Sequence, residues 1–80
     1  MRLTLYSKPG CHLCDDMKAI VTRVIANDPA ISFEDVDIST DPALLAQYGL
    51  EIPVLTIDGK KKAKFRIGEE ELRKLLNQQR

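Results

Sequence analysis

Residues 8–14 read KPGCHLC. Two cysteines, Cys11 and Cys14, stand two residues apart, with His12 between them and Lys8 three residues upstream. The stretch opens on a turn signal, Pro9-Gly10, and runs into helical spacing: Leu13, Met17, Ile20, Val21 and Val24 fall on one face. Ahead of it, Arg2–Tyr6 alternates Leu3 and Leu5 with polar positions, as a short strand does. The cysteine pair therefore sits where a strand turns into a helix. Three readings of the pair are open at this point: a redox couple, part of a metal site, or an inert structural pair.

Working outward, Asn27-Asp28-Pro29 stops the first helix. Residues 32–38 (SFEDVDI) read as a strand whose alternation slips near Glu34. Thr40-Asp41-Pro42 is a helix start, with Asp41 as cap and Pro42 at the first helical position, and Gly49 ends that short helix. Pro53–Ile57 is apolar and β-branched, and Asp58-Gly59 is a two-residue hairpin turn. Beyond it, Ala63, Phe65 and Ile67 alternate with Lys62, Lys64 and Arg66, which predicts a strand with one wet face. That pattern puts Phe65, with Tyr6, in the core. Lys60-Lys61-Lys62 and Lys64 read as a protected sheet edge, because lysine discourages strand addition. Glu69–Asn77 closes the chain as a helix with Leu72, Leu75 and Leu76 inward. The order is β-α-β-α-β-β-α. It predicts one α/β domain over residues 1–80, with the first two strands parallel through a right-handed crossover and the last two a hairpin. A mixed four-stranded sheet with helices on both faces satisfies this order.

Composition narrows the function. The chain has 80 residues, with 12 Lys+Arg against 12 Asp+Glu. Nothing in that balance asks for nucleic acid or an anionic membrane. No apolar run approaches the roughly 20 residues that span a bilayer. MRLTLYS reads as a strand rather than a signal peptide, so a cytoplasmic location is expected, where thiols are kept reduced. Two neighbouring cysteines cannot staple a scaffold. A zinc site needs about four ligands, and Cys11, His12 and Cys14 supply too few. A monomer with no bound cofactor or metal is expected. An iron–sulfur cluster or other metal shared between subunits stays open as an alternative.

Disulfide exchange needs a thiolate, a second thiol within reach, and access. At the start of a helix, backbone N–H groups and the positive end of the dipole favour a Cys11 thiolate. Lys8 and His12 could add positive charge, whereas Asp15 and Asp16 oppose it. Cys14 lies one turn in, near the apolar stripe, and is expected to be the less exposed, resolving thiol.

Taken together, LYSKPGCHLC (5–14), IPVLTIDG (52–59) and the helix led by Gly68 resemble the glutaredoxin-like branch of the thioredoxin-fold superfamily. The likeness is to a small, divergent member, with Cys-His-Leu-Cys where the usual tetrad is Cys-Pro-Tyr-Cys. The resemblance implies a dithiol–disulfide oxidoreductase acting on a protein or small-molecule disulfide. It implies that Pro53 is cis and faces the cysteines, and that the Ile52 backbone pairs with an extended substrate. It implies glutathione or a thioredoxin-type protein as reductant. The family's Gly-Gly-x-Asp segment, which holds glutathione, is replaced here by IGEEEL (67–72), and Glu51 precedes Ile52. Glu51 and Glu69–Glu71 are expected to repel glutathione, a net anion. The alternative from another class is a redox-sensing or cluster-binding module on the same fold, without turnover.

Overall fold

The computed structural model describes residues 1–79. Seven elements follow in order: β1 (Arg2–Ser7), α1 (His12–Ile25), β2 (Ser32–Asp37), α2 (Pro42–Tyr48), β3 (Val54–Ile57), β4 (Lys60–Lys64) and α3 (Glu69–Gln78). The sheet order is β2-β1-β3-β4. β1 pairs parallel with β2 and antiparallel with β3, and β3 pairs antiparallel with β4. This is the mixed four-stranded sheet expected from the element order.

The central register decides which side chains meet. Leu3 faces Ile57 and Leu5 faces Leu55 across β1 and β3. Successive strand residues point to opposite faces, so these four leucine and isoleucine side chains share one face. There they pack with Met17 and Val21 of α1, Ile67, and Leu72 and Leu76 of α3. Thr4 and Tyr6 point to the other face, where the Tyr6 ring stacks on Tyr48 of α2 with centroids 4.5 Å apart. Helices thus cover both faces, but unequally. α2 has seven residues and buries none of them fully. β3 is buried along its whole length, as a central strand between two covered faces should be.

Local chemistry accounts for most boundaries. The Asp41 carboxylate accepts from the N–H groups of Ala43 and Leu44 at 3.0 and 3.2 Å, capping α2, with Pro42 next in line. Asp58 and Gly59 both adopt positive φ, 50° and 86°, as the mirror-image hairpin turn requires. Because that turn has two residues, pairing resumes at once with Ile57 against Lys60.

The last strand departs from expectation. It runs Lys60–Lys64, keeping Ala63 but stopping short of Phe65 and Ile67. A register shift between Leu55 and Thr56 leaves Lys62 as an extra residue on β4. Phe65 then takes φ 65°, which ends the ladder and turns the chain toward α3. Phe65 is therefore 43% exposed rather than core, and Tyr6 is only half-buried. Leu75 likewise packs at the margin of the core, while Leu72 and Leu76 fill it.

Truncating Leu5, fully buried opposite Leu55, should lower stability by about 2–5 kcal/mol in urea unfolding as Leu5→Ala. Leu50, 95% exposed, gives the contrast: Leu50→Ala should stay within about 0.5 kcal/mol of the parent. Equal losses at the two positions would show that the core is not where these contacts put it.

Candidate active site

The register that builds the core also gathers two loops at one end of the sheet. β1 ends at Ser7 and delivers the chain to the cysteine segment. Val54, the first residue of β3, pairs with Tyr6, so the segment ending in Pro53 lies at the same end. The Ile52–Pro53 peptide bond is cis. The Pro53 carbonyl accepts the Phe65 N–H at 2.9 Å, which ties the exit of β4 to the proline. Among the described residues, the Ile52 backbone makes no main-chain hydrogen bond. It is half-buried.

Cys11 and Cys14 are joined in a disulfide, with Cα atoms 5.2 Å apart, a spacing within the range that such a bond spans. Gly10 reaches φ 78° just before the pair, a conformation that favours glycine. Cys11 is the cap residue of α1. Its Sγ accepts the N–H of Cys14 at 3.1 Å, the place where serine or aspartate oxygen normally stands. An N–H and the positive helix end thus converge on the Cys11 sulfur. The two cysteines differ in access. Cys14 is 2% exposed and faces inward with Met17 and Val21, whereas Cys11 is half-exposed.

His12, the first residue of α1, is exposed. Lys8 shares a shallow depression with Ser7, Pro9 and three carboxylates, Asp15, Asp35 and Asp37. Its positive charge is therefore set among acids on the β2 side, a neighbourhood that the spacing Lys8…Cys11 alone did not reveal. Asp35 also accepts the Ser7 hydroxyl at 2.7 Å and pairs with Lys18 at 3.2 Å, fastening the end of β1 to β2 and α1.

The four carboxylates Glu51 and Glu69–Glu71 differ in their partners. Glu51 is gripped by Lys61 at 2.8 Å and Lys64 at 3.5 Å. The Lys61 hydrogen bond, with the charges of both lysines, holds the Glu51 carboxyl below the usual glutamate value. Glu69 bonds to Arg73 at 3.0 Å and to Arg23, in the last turn of α1, at 3.2 Å. The Arg73 bond first, then the Arg23 bond, lowers the Glu69 carboxyl too. Two of the four carboxylates are thus neutralised locally, leaving Glu70 and Glu71 exposed. Sequence reading missed the Glu51 clamp because ten residues and a hairpin separate its members. The signal that could have found it is the Asp58-Gly59 turn, which folds the lysine run back beside the segment before Pro53.

Among the described residues, no group of three or more His, Cys, Asp or Glu side chains is arranged to hold a metal ion. No helix among them is long and apolar enough to cross a membrane.

The family model described as Glutaredoxin-like domain (DUF836) matches residues 2–77. The chain belongs to this glutaredoxin-like family. The X-ray structure of Northeast Structural Genomics target protein XcR50 from X. campestris is 33% identical. It aligns over 95% of this chain and 96% of that one with a TM-score of 0.80. Desulfothioredoxin from Desulfovibrio vulgaris Hildenborough, in its reduced form, is 26% identical with a TM-score of 0.70, over 96% of this chain and 79% of its own. A mutant thioredoxin from Halobacterium salinarum, 22% identical over 96% of this chain and 72% of that one, shares the fold with a TM-score of 0.67. No curated protein matches the chain. A glutaredoxin-like fold carrying a disulfide-bonded Cys-x-x-Cys pair supports a redox role.

The Glu51 clamp generates a pH prediction. A carboxyl whose folded value is depressed stabilises the fold above its unfolded value, near 4.3, and loses that contribution as pH falls through the folded value. Glu51 and Glu69 both behave this way. Thermal stability should therefore fall as pH drops below the ordinary glutamate range, and Glu51→Gln should be slightly less stable near neutrality with a flatter acid limb, the two curves converging in acid. An acid limb identical in parent and variant would remove the clamp from the stability of this region.

Proposed function

We propose that the chain is a dithiol–disulfide oxidoreductase. In the reduced protein, the Cys11 thiolate attacks one sulfur of a substrate disulfide. A Cys11–substrate bond forms, the substrate S–S bond breaks, and the second substrate sulfur leaves as a thiolate that takes up a proton. Cys14, deprotonated, then attacks Cys11 Sγ. The Cys11–Cys14 disulfide forms and the remaining substrate thiol departs. The substrate gains two electrons and the protein loses two, ending in the disulfide form described above. A dithiol reductant of the thioredoxin type, or two molecules of glutathione, would return it to the start.

The observation that carries this reading is the asymmetry of the pair. Cys11 is accessible and its sulfur receives an N–H at a helix start, while Cys14 is buried behind it. A nucleophile needs the first environment and a resolving thiol tolerates the second. The Ile52 main chain, beside the cis-proline and outside the ladder, is the natural place for an extended substrate backbone to pair. His12 adds a polar, exposed flank to the attacking sulfur. Lys8, on the same loop as the attacking sulfur, lies among aspartates. The substrate is a protein or small-molecule disulfide, and the working form is a monomer in the reducing cytoplasm.

Brief iodoacetamide treatment of the reduced protein at neutral pH, followed by mass mapping, tests the assignment of roles. Cys11 should be alkylated at least about tenfold faster than Cys14, since thiolate character and exposure both favour it. Equal labelling, or preference for Cys14, would overturn it. A Cys14→Ser variant should trap the mixed disulfide with substrate, and a Cys11→Ser variant should not.

A further inference from the structure

The chain has no net charge, yet its charges are not evenly spread. Five of its twelve basic residues, Lys60, Lys61, Lys62, Lys64 and Arg66, fall within residues 60–66, with no acid among them. All lie on or just beyond β4, an outer strand of the sheet. Glu51 engages Lys61 and Lys64, so one carboxylate answers two ammonium groups. Among the described residues, Lys60, Lys62 and Arg66 have no acidic partner. The opposite edge has the opposite sign: Glu34, Asp35 and Asp37 lie on β2, with Asp15 beside them across the loop.

Three further features mark the basic edge as more than a guard against aggregation. Among the described residues, the outer side of β4 has no neighbouring strand, and a shallow depression of about 280 Å³ runs along Lys61–Lys64. The strip also ends at the proposed substrate groove, because Phe65 donates its N–H to the Pro53 carbonyl. Finally, Phe65 takes a left-handed backbone conformation unusual for a bulky residue, and it stands 43% exposed with the Lys64 ammonium 5.5 Å from the centre of its ring. A lysine guard needs no exposed aromatic at its end. An apolar contact rimmed by cations is what a partner with an apolar residue and nearby carboxylates would fit.

We infer that the β4 edge with Phe65 is a docking strip for the acidic flank of a polypeptide disulfide substrate, which names the substrate class of the oxidoreductase reading and rests on it. The spacing sets where the acids must be. β4 lies two strands from β1, roughly 10 Å at the usual strand separation, and an extended chain covers that in about three residues. Carboxylates about three to five residues from the reactive substrate cysteine therefore reach the strip while its sulfur meets Cys11. The acidic β2 edge repels the same flank, so the substrate is held in one direction across the groove. Nucleic acid is the less suitable occupant, because the acids of β2 and α1 flank the other side of the same end and no aromatic platform beyond Phe65 accompanies the lysines.

The test measures second-order rates of the reduced protein with three thiopyridyl-activated peptides. They share one sequence but carry Glu, Ser or Lys at the third to fifth positions from the cysteine. At about 20 mM salt the Glu peptide should react about tenfold faster than the Lys peptide, and at about 0.5 M salt the difference should largely vanish through screening. A Lys60→Glu/Lys62→Glu/Arg66→Glu variant should invert the order, and the milder triple change to Gln should flatten it. Equal rates for the three peptides at low salt would overturn the docking strip while leaving the oxidoreductase reading intact. Failure of all three, the uncharged Ser peptide included, would overturn the oxidoreductase reading itself. A single-stranded oligonucleotide that displaces the labelled Glu peptide at lower concentration than unlabelled Glu peptide would reassign the strip to nucleic acid and overturn the proposal.

Discussion

The antiparallel register of β1 against β3 is the constraint on which both the core and the site depend. Leu3 against Ile57 and Leu5 against Leu55 bring four large apolar side chains to the face covered by α1 and α3. A slip of β3 by one residue would turn Leu55 and Ile57 to the opposite face, where a seven-residue helix could not cover them. The same register places Val54 opposite Tyr6 and so brings the cis-proline segment to the end of the sheet from which the cysteine loop emerges. Hydrophobic burial therefore positions the chemistry without any contact between the two loops having to do so.

At that end, one atom serves the structure and, in the proposed reaction, the chemistry. The first turn of α1 has N–H groups that need acceptors, and Cys11 Sγ takes the one from Cys14. The arrangement that caps the helix is also the one on which the proposed nucleophile rests. Burial of Cys14 with Met17 and Val21 then fixes the second sulfur to the core side of the same turn. Around this unit the ion pairs hold the supports in place: Asp35 joins Ser7 to Lys18, and Glu51 joins the segment before Pro53 to the β4 lysines. These pairs are exposed, so they contribute position more than stability.

Much of this was legible in the sequence where the signal is local. The Cys11–Cys14 spacing at a strand-to-helix junction, the Asp41-Pro42 helix start and the Asp58-Gly59 turn each carry their own stereochemistry, and each stands where the pattern put it. The end of β4 was not legible. Alternation of Ala63, Phe65 and Ile67 describes a strand, but the bulge at Lys62 and the positive φ of Phe65 arise from fitting a tight hairpin to the start of α3. Charge partners were hidden for the same reason. Glu51 and Glu69 read as bare acids because Lys61, Arg23 and Arg73 meet them only after folding or one helical turn on. Local chemistry is written in the sequence, whereas the neutralisation of a surface charge is a property of the assembled surface.

The central claim is that Cys11 and Cys14 form a reversible two-electron couple within one chain. Equilibration in dithiol redox buffers of graded potential, followed by acid quench, alkylation and intact mass measurement, tests it most directly. We expect a single transition between a doubly alkylated monomer and an unalkylated monomer two hydrogen atoms lighter than the dithiol, fitting two electrons and superimposing in the oxidising and reducing directions. Singly alkylated protein at the midpoint, linked dimers on oxidation, or a pair that does not re-form after reduction would contradict it.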